Sequence, residues 1–159
     1  MTEKPGGFAE LLERGGILYD LEGTSSGEVL SALVNSLKSK LSIPAEKLLE
    51  AVMEREALMS TGFGRGIAFP HPRNPMLSSD SGQFVSLAFS KTPVDWNSLD
   101  GEKVDTLLLI VTASAKQHLG ILSEITFFCR KENFCRLLKE RAPLEEILGF
   151  IRETESSWK

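Results

Sequence analysis

Apolar residues recur every three or four positions along much of this chain, a spacing that is typical of amphipathic helices. The stripes are Phe8, Leu11 and Leu12; Val29 to Leu37; Leu48 to Met53; Leu119, Leu122, Ile125 and Cys129; Phe134, Leu137 and Leu138; and Leu144 to Ile151. Gly15 and Gly16 end the first helix, and Ser25 followed by Glu28 matches a capping box at the start of the second. Pro143 suits the first turn of the last helix.

Shorter apolar runs between these stripes predict strands. Ile17 to Leu21 and Ile67 to Phe69 are short, whereas Phe84 to Phe89 places alternate apolar residues on one face. Val104 to Val111 is mostly apolar, which predicts a central strand covered on both faces. Because helices and strands interleave, we expect an α/β fold with helices on both faces of one sheet, whose strand order the pattern leaves open.

Composition and charge narrow the classes of function. The 159 residues are 42% hydrophobic and 25% charged, which predicts one domain over residues 1–159. Its polar ends, at about 1–7 and 153–159, are expected to be frayed. A net charge of -4 without a basic cluster argues against nucleic-acid binding. No apolar run is long enough to span a membrane, and Met1 to Gly7 lacks the apolar core of a signal peptide, so we expect a cytoplasmic protein. Cys129 and Cys135 have neither zinc-knuckle nor redox spacing and are predicted to be buried as small apolar residues.

The two histidines are the candidates for chemistry. His71 lies between Pro70 and Pro72, just past the short strand, where the prolines restrict the backbone and hold the imidazole in place. His118 follows the predicted central strand, near the start of a helix, where free N–H groups favour an anion. Strand ends are common ligand sites in α/β sheets, so these two side chains are placed to meet. One imidazole nitrogen can be fixed by a hydrogen bond while the other acts as the nucleophile.

Three arginines close to His71 in sequence are candidates for binding a phosphoryl group: Arg55, Arg65 and Arg73. Each of these residues also has a possible role that involves no chemistry. A histidine is more often a surface or partly buried residue than a catalytic one, and the arginines can be solvated charges. Gly62, Gly64 and Gly66 can form a tight turn and nothing more, since no Walker A sequence follows them.

The segment from Arg55 to His71, REALMSTGFGRGIAFPH, resembles the active-site signature of phosphotransferase-system (PTS) enzyme IIA domains of the fructose/mannitol type. This family includes the nitrogen-regulatory IIA proteins. The segments Pro93–Trp96 and Leu99–Asp105 are similar to the family's next strand, turn and central strand, and the segment from His118 is similar to its second-histidine helix. The departures are Phe63 and Phe69, where aliphatic residues are common, and Pro72-Arg73, where small residues often follow the histidine.

The resemblance implies an α/β fold with a single mixed β-sheet flanked by helices on both faces. It also implies a phosphotransferase that carries a phosphoryl group on His71, with His118 and Arg55 stabilising that group. It implies an HPr-type phosphocarrier protein as the donor, a IIB domain or a regulated protein as the acceptor, and no metal or organic cofactor. Nitrogen-type regulation is slightly favoured over fructose/mannitol-type sugar transport, and a free-standing IIA suits both.

Two alternatives come from other classes of protein. In the first, His71 and His118 bind a metal in a small hydrolase, although no HxH or HExxH spacing and no carboxylate cluster accompanies either histidine. In the second, the same fold serves as a binding module that is never phosphorylated. Metal analysis tests the first alternative, and a phosphorylation assay tests the second.

Overall fold

The computed structural model describes residues 6–157, which form one five-stranded sheet with helices on both faces. The strands are β1 (Ile17–Leu21), β2 (Gly62–Gly64), β3 (Ile67–Ala68), β4 (Phe84–Val94) and β5 (Val104–Val111). The helices are α1 (Phe8–Gly15), α2 (Ser26–Ser36), α3 (Ala45–Leu58), α4 (Ala115–Cys129), α5 (Glu132–Lys139) and α6 (Leu144–Ser156). No helix within residues 6–157 is long and apolar enough to cross a bilayer.

The sheet is mixed, with the strand order β1-β4-β5-β3-β2. Strand β5 is central, pairing antiparallel to β4 and parallel to β3, and β1 is parallel to β4. The prediction of a single mixed sheet with a central strand over Val104–Val111 is therefore confirmed. Because β3 and β5 run in the same direction, the chain leaves both strands at the same edge of the sheet.

Two apolar layers fill the space on either side of the sheet. One face packs against α1, α4, α5 and α6 through a cluster that includes Phe8, Phe89 and Phe128. The other face packs against α2 and α3 through a cluster that includes Leu33 and Leu107. Alternate residues of β4 and β5 enter opposite layers, which explains why both strands are almost continuously apolar.

The start of α4 differs from the prediction. The helix begins at Ala115, because the hydroxyl of Ser114 accepts a hydrogen bond from the Gln117 N–H at 3.1 Å and caps it. The buried stripe is Ile121, Ile125, Phe128 and Cys129. Leu119, which was predicted to be buried, is 66% exposed, since it lies two residues before Ile121 and so about 200° around the helix from the buried stripe. The break after α4 falls at Arg130 and Lys131, two residues before the predicted one.

The structure describes part of each end that was predicted to be frayed. Helix α6 continues to Ser156, and Glu155 is only 9% exposed because it lies one turn beyond the buried Ile151. At the other end, the Gly7 carbonyl accepts a hydrogen bond from the Leu11 N–H at 3.1 Å and so belongs to the start of α1. Residues 1–5 and 158–159 lie outside the described residues.

Candidate functional site

The side chain of His71 is held by the chain that precedes it. Strand β3 ends at Ala68, and the Pro70 carbonyl still accepts a hydrogen bond from the Ile110 N–H of β5 at 3.0 Å. The Nδ1 atom of His71 lies 2.8 Å from the carbonyl oxygen of Phe69. A carbonyl only accepts, so Nδ1 carries the proton in the neutral ring and Nε2 keeps its lone pair. The free nitrogen of His71 is therefore Nε2.

His118 lies directly beside His71. It occupies the first turns of α4, where its N–H donates to the Ser114 carbonyl at 3.0 Å. The two imidazole rings have their centroids 4.5 Å apart and are tilted by 42°. Two residues that are 47 positions apart in the sequence thus come together because β3 and β5 end at the same edge of the sheet.

The three candidate arginines separate in space. Arg55, in the last turn of α3, is half-buried and donates from Nη1 to the Met59 carbonyl at 2.6 Å. Its charge acts on both histidines. Arg73 lines the same cavity as the two imidazoles. Arg65 does not join the histidines: it lies in the turn before β3, with Nη1 3.6 Å from Cys135 Sγ.

His71 separates two open cavities. The His118-side cavity, of about 260 Å³, is lined by His71, His118, Arg73, Thr112 and Leu119 among others. The Arg55-side cavity, of about 220 Å³, is lined by His71, Arg55, Phe63, Leu122 and Thr126 among others. The imidazole of His71 is therefore open to solvent from two sides, with cationic side chains on both.

Both histidines are kept neutral at physiological pH. Burial lowers the pKa of His71, and the Arg55 charge lowers it further, against an upward effect of the hydrogen bond to the Phe69 carbonyl. Burial, followed by the neighbouring His71 and Arg55, lowers the pKa of His118 to about 4 from its ordinary value of 6.5. A neutral His71 has the nitrogen lone pair that a nucleophile needs.

We expect NMR titration of the ring signals to give a midpoint of about 4 for His118 and a midpoint below 6.5 for His71. Replacing His71 by Gln removes a neighbouring positive charge, so the pKa of His118 should rise in His71→Gln. The rate of a reaction that uses neutral His71 should then begin to decline at a lower pH than it would with a histidine of the ordinary pKa of 6.5. Midpoints at or above 6.5 for both rings would contradict this electrostatic picture.

Comparison with known proteins identifies the family. Residues 10–154 match the family model described as "Phosphoenolpyruvate-dependent sugar phosphotransferase system, EIIA 2". The chain belongs to this PTS IIA family. The predicted resemblance to IIA proteins of the fructose/mannitol type is thereby confirmed.

Several curated relatives of this IIA protein are nitrogen regulatory proteins. The one from Pseudomonas aeruginosa is 36% identical over 150 residues, covering 92% of this chain and 96% of that protein. The one from Escherichia coli is 34% identical over 132 residues, covering 79% of this chain and 77% of that protein. The fructose-specific EIIABC component of Bacillus subtilis is 27% identical over 149 residues, covering 92% of this chain but 23% of that protein.

Solved structures of IIA proteins have the same fold. The nitrogen regulatory protein IIA-Ntr from Neisseria meningitidis aligns with a TM-score of 0.77 at 24% identity, covering 90% of this chain and 97% of that chain. The mannitol IIA of Escherichia coli aligns with a TM-score of 0.68 at 17% identity, covering 87% and 96%. A mannitol IIA from the same organism, solved in complex with phosphorylated mannitol IIB, aligns with a TM-score of 0.63 at 15% identity, covering 87% and 94%. At these identities the likeness establishes the fold.

The signature glycines of this IIA protein make room for the connection between β4 and β5. A Cβ at Gly62 would lie 2.0 Å from Ser98 Oγ, and a Cβ at Gly64 would lie 3.1 Å from Asp100 Oδ2. The same carboxylate oxygen accepts a hydrogen bond from the Arg65 N–H at 2.9 Å. The glycines therefore lock the hairpin of β2 and β3 against this connection. Strand β2 was not predicted from the sequence, because its glycines carry no apolar pattern.

Replacing Gly62 by Ala should therefore strain the hairpin that leads to His71. We expect Gly62→Ala to lower the free energy of unfolding by about 1–3 kcal/mol, because Ser98 must move. Removing the Ser98 side chain should relieve the clash, so the double variant Gly62→Ala/Ser98→Gly should regain part of that loss. Denaturant unfolding of the four proteins measures the coupling. Additive effects would show that the two side chains do not compete for this space.

The sequence prediction missed the threonines of the site. Thr112 lines the His118-side cavity, and Thr61 and Thr126 line the Arg55-side cavity. A signal existed for Thr112, since it directly follows the central strand, at the edge of the sheet where ligands tend to bind. Thr126 lies eight residues after His118, about two helical turns along the same face of α4. Thr61 has no comparable signal in the sequence.

The side chains around the histidines do not form a metal-binding set. Within residues 6–157, no group of three or more His, Cys, Asp or Glu side chains is arranged to hold a metal ion. Catalytic zinc sites ordinarily use three protein ligands. The pair His71 and His118 therefore gives no support to the metal-hydrolase alternative.

Proposed function

We propose that this PTS IIA protein is a phosphocarrier in which Nε2 of His71 accepts a phosphoryl group. The observation that carries the proposal is the hydrogen bond of His71 Nδ1 to the Phe69 carbonyl at 2.8 Å, which leaves Nε2 as the free nitrogen beside His118. The lowered pKa of His71 supports it, because a neutral ring can attack phosphorus.

The reaction is a transfer between two nitrogen atoms. The lone pair of His71 Nε2 forms a bond to phosphorus, and the bond from phosphorus to the donor's histidine nitrogen breaks, returning its electron pair to that ring. No metal or organic cofactor takes part in this scheme. Phosphoryl transfer passes through a loose transition state. Catalysis therefore comes from aligning the two nitrogens with phosphorus and from stabilising the charge on the three oxygens of the phosphoryl group. A neutral His118 has one N–H to donate, and the guanidinium of Arg55 supplies positive charge on the other side of His71.

Membership of the family supports a proposal for the phosphoryl donor and acceptor. We propose a phosphorylated HPr-type phosphocarrier protein as the donor and a IIB domain or a regulated protein as the acceptor, with all of them in the cytoplasm. The exposed Leu119 beside the His118-side cavity and the exposed Met59 beside Arg55 provide apolar surface where such partners would cover the site. The mannitol IIA that was solved with phosphorylated IIB is a precedent for such a complex.

Regulation in the manner of the nitrogen regulatory proteins is the favoured role. The nitrogen regulatory proteins of Escherichia coli and Pseudomonas aeruginosa are 34% and 36% identical to this chain, against 27% for the fructose-specific component. Phosphorylation adds about 1.5–2 negative charges to the site. That charge, placed between the two cavities, changes which protein surface can dock there. Sugar-transport IIA function is the second candidate, and growth on fructose or mannitol after deletion of the gene separates the two roles.

The proposal is tested by intact-mass measurement after incubation with phosphoenolpyruvate, enzyme I and HPr. We expect the mass to rise by one phosphoryl group, and the group to be lost in acid, as a phosphohistidine is. A sugar-type and a nitrogen-type HPr should both be tried, because the preferred donor distinguishes the two roles. Absence of phosphorylation with every donor would favour the alternative in which the fold serves only as a binding module.

A further inference from the structure

A series of hydrogen bonds runs from the end of α3 to the ring of His71. The carboxylate of Glu56 accepts from both the N–H and the hydroxyl of Thr61, at 2.7 and 2.5 Å. The Thr61 carbonyl accepts from the Phe69 N–H at 3.0 Å. The Phe69 carbonyl in turn lies 2.8 Å from His71 Nδ1. Phe69, whose carbonyl determines which nitrogen of His71 carries the proton, is therefore tied to Thr61 through its own N–H.

Thr61 itself is fixed from a second side. The indole Nε1–H of Trp96 donates to the Thr61 hydroxyl oxygen at 3.3 Å, and the Trp96 ring is only 3% exposed. Thr61 is 8% exposed. Its hydroxyl thus donates to Glu56 and accepts from Trp96, which uses both of the roles that a hydroxyl can play. Because this side chain is buried and bonded on two sides, its main chain has little freedom to shift.

We propose that Thr61 is a positioning residue for phosphoryl transfer: held between Glu56 and Trp96, it sets the Phe69 carbonyl that keeps the proton of His71 on Nδ1. The effect on the transfer rate rests on the proposed function, whereas the effect on the His71 tautomer does not. If Thr61 moves, the Phe69 carbonyl moves with it, and Nδ1 loses its acceptor. The ring then turns, or the proton redistributes to Nε2 and occupies the lone pair that must attack phosphorus.

Mutating a hydrogen-bond partner that orients a metal-bound histidine typically costs about 10- to 100-fold in affinity or activity, and we expect a loss at the lower end of this range for a residue that orients His71. Replacing Thr61 by the isosteric Val deletes the hydroxyl and leaves the shape of the side chain. We expect Thr61→Val to lower the rate of phosphorylation at saturating donor by about 10-fold, with little change in the KM for the donor. Thr61→Ser keeps the hydroxyl and should restore most of the rate.

The matched control is Thr106→Val. Thr106 is 3% exposed, lies on β5 and bonds through its hydroxyl to Asp105 at 3.0 Å, outside the hydrogen bonds that lead to His71. This variant loses the same chemical group at a comparable burial, so it measures the cost of a deleted buried hydroxyl alone. We expect it to lose stability and to keep the wild-type rate at a temperature where it is folded.

The readout that separates positioning from stability is the tautomer of His71. Long-range ¹H–¹⁵N NMR at a pH above the His71 titration shows which ring nitrogen carries the proton. We expect the Nδ1–H form to dominate in wild type, Thr61→Ser and Thr106→Val, and the Nε2–H form to gain population in Thr61→Val. Glu56→Gln disturbs the same hydrogen bonds from a half-exposed position. It should give a smaller change in the same direction, and it serves as the test if Thr61→Val does not fold.

The results decide between two roles for Thr61. A slower transfer with a changed tautomer, rescued by Ser, supports the proposal. An unchanged tautomer overturns it, whether the rate is unchanged or falls only as far as in Thr106→Val. If the wild type accepts no phosphoryl group, the proposed function fails, and the NMR comparison still tests the positioning of His71.

Discussion

The variant His71→Gln is expected to accept no phosphoryl group from phosphorylated HPr, whereas the wild type accepts one. Removing a nucleophile on which a covalent step depends ordinarily lowers the rate by more than about 1,000-fold. Glutamine suits this test because its amide N–H can still donate to the Phe69 carbonyl, which lies 2.8 Å from His71 Nδ1 in the wild type. Because the side chain of His71 is only half-buried, its replacement should leave the fold intact.

Intact-mass spectra of wild type and His71→Gln, taken side by side over time, measure the difference. Denaturant unfolding of both proteins is the control, since an unfolded variant would also accept nothing. A phosphoryl group on folded His71→Gln at the wild-type rate would show that another side chain is the acceptor. His118, with its ring centroid 4.5 Å away, would be the first to examine, through the double variant with His118→Gln.

Local signals in the sequence predicted most of the elements correctly. The capping box at Ser25 and Glu28 is an example, because the Ser25 hydroxyl accepts from the Glu28 N–H at 3.2 Å. The Glu28 carboxylate accepts a hydrogen bond from the Thr24 N–H at 2.8 Å, whereas a capping box would use the N–H of the next residue, Ser25. The spacing of apolar residues likewise predicted buried faces of α2 and β4, because local spacing determines which side chains share a face.

The arrangement of the site depended on information that spacing does not contain. Arg65 and Arg73 lie within a few residues of His71, yet only Arg73 lines its cavity, because Arg65 precedes β3 and His71 follows it. Leu119 was assigned to the core because it lies three residues before Leu122, whereas the sheet buries the face that carries Ile121 and Ile125. The pairing of β3 with β5 brings His71 and His118 together, and strand order is a long-range property that no single segment encodes.

The contribution of His118 to transfer follows from its protonation state. With its pKa lowered to about 4, His118 is neutral at pH 7. Under the proposed function we therefore expect it to meet the arriving phosphoryl group as a donor of one N–H. Once two negative charges are placed on His71, they favour the protonated ring, so the pKa of His118 should rise on phosphorylation. A phosphoryl group on His71 therefore favours the protonated form of His118, and its departure favours the neutral form.

We expect His118→Ala to slow phosphorylation by about 100-fold, the usual cost of removing one hydrogen-bond donor from a developing anion. His118→Gln keeps an N–H donor and should retain more of the rate, although it gains no charge. The rates are measured by rapid quench with phosphorylated HPr, with unfolding curves as the control, because the half-exposed His118 contributes little to the core. Equal rates for His118→Ala and wild type would remove His118 from the site and leave stabilisation to Arg55. Equal loss in the Ala and Gln variants would mean that the charge gained on phosphorylation, rather than the N–H, is what His118 supplies.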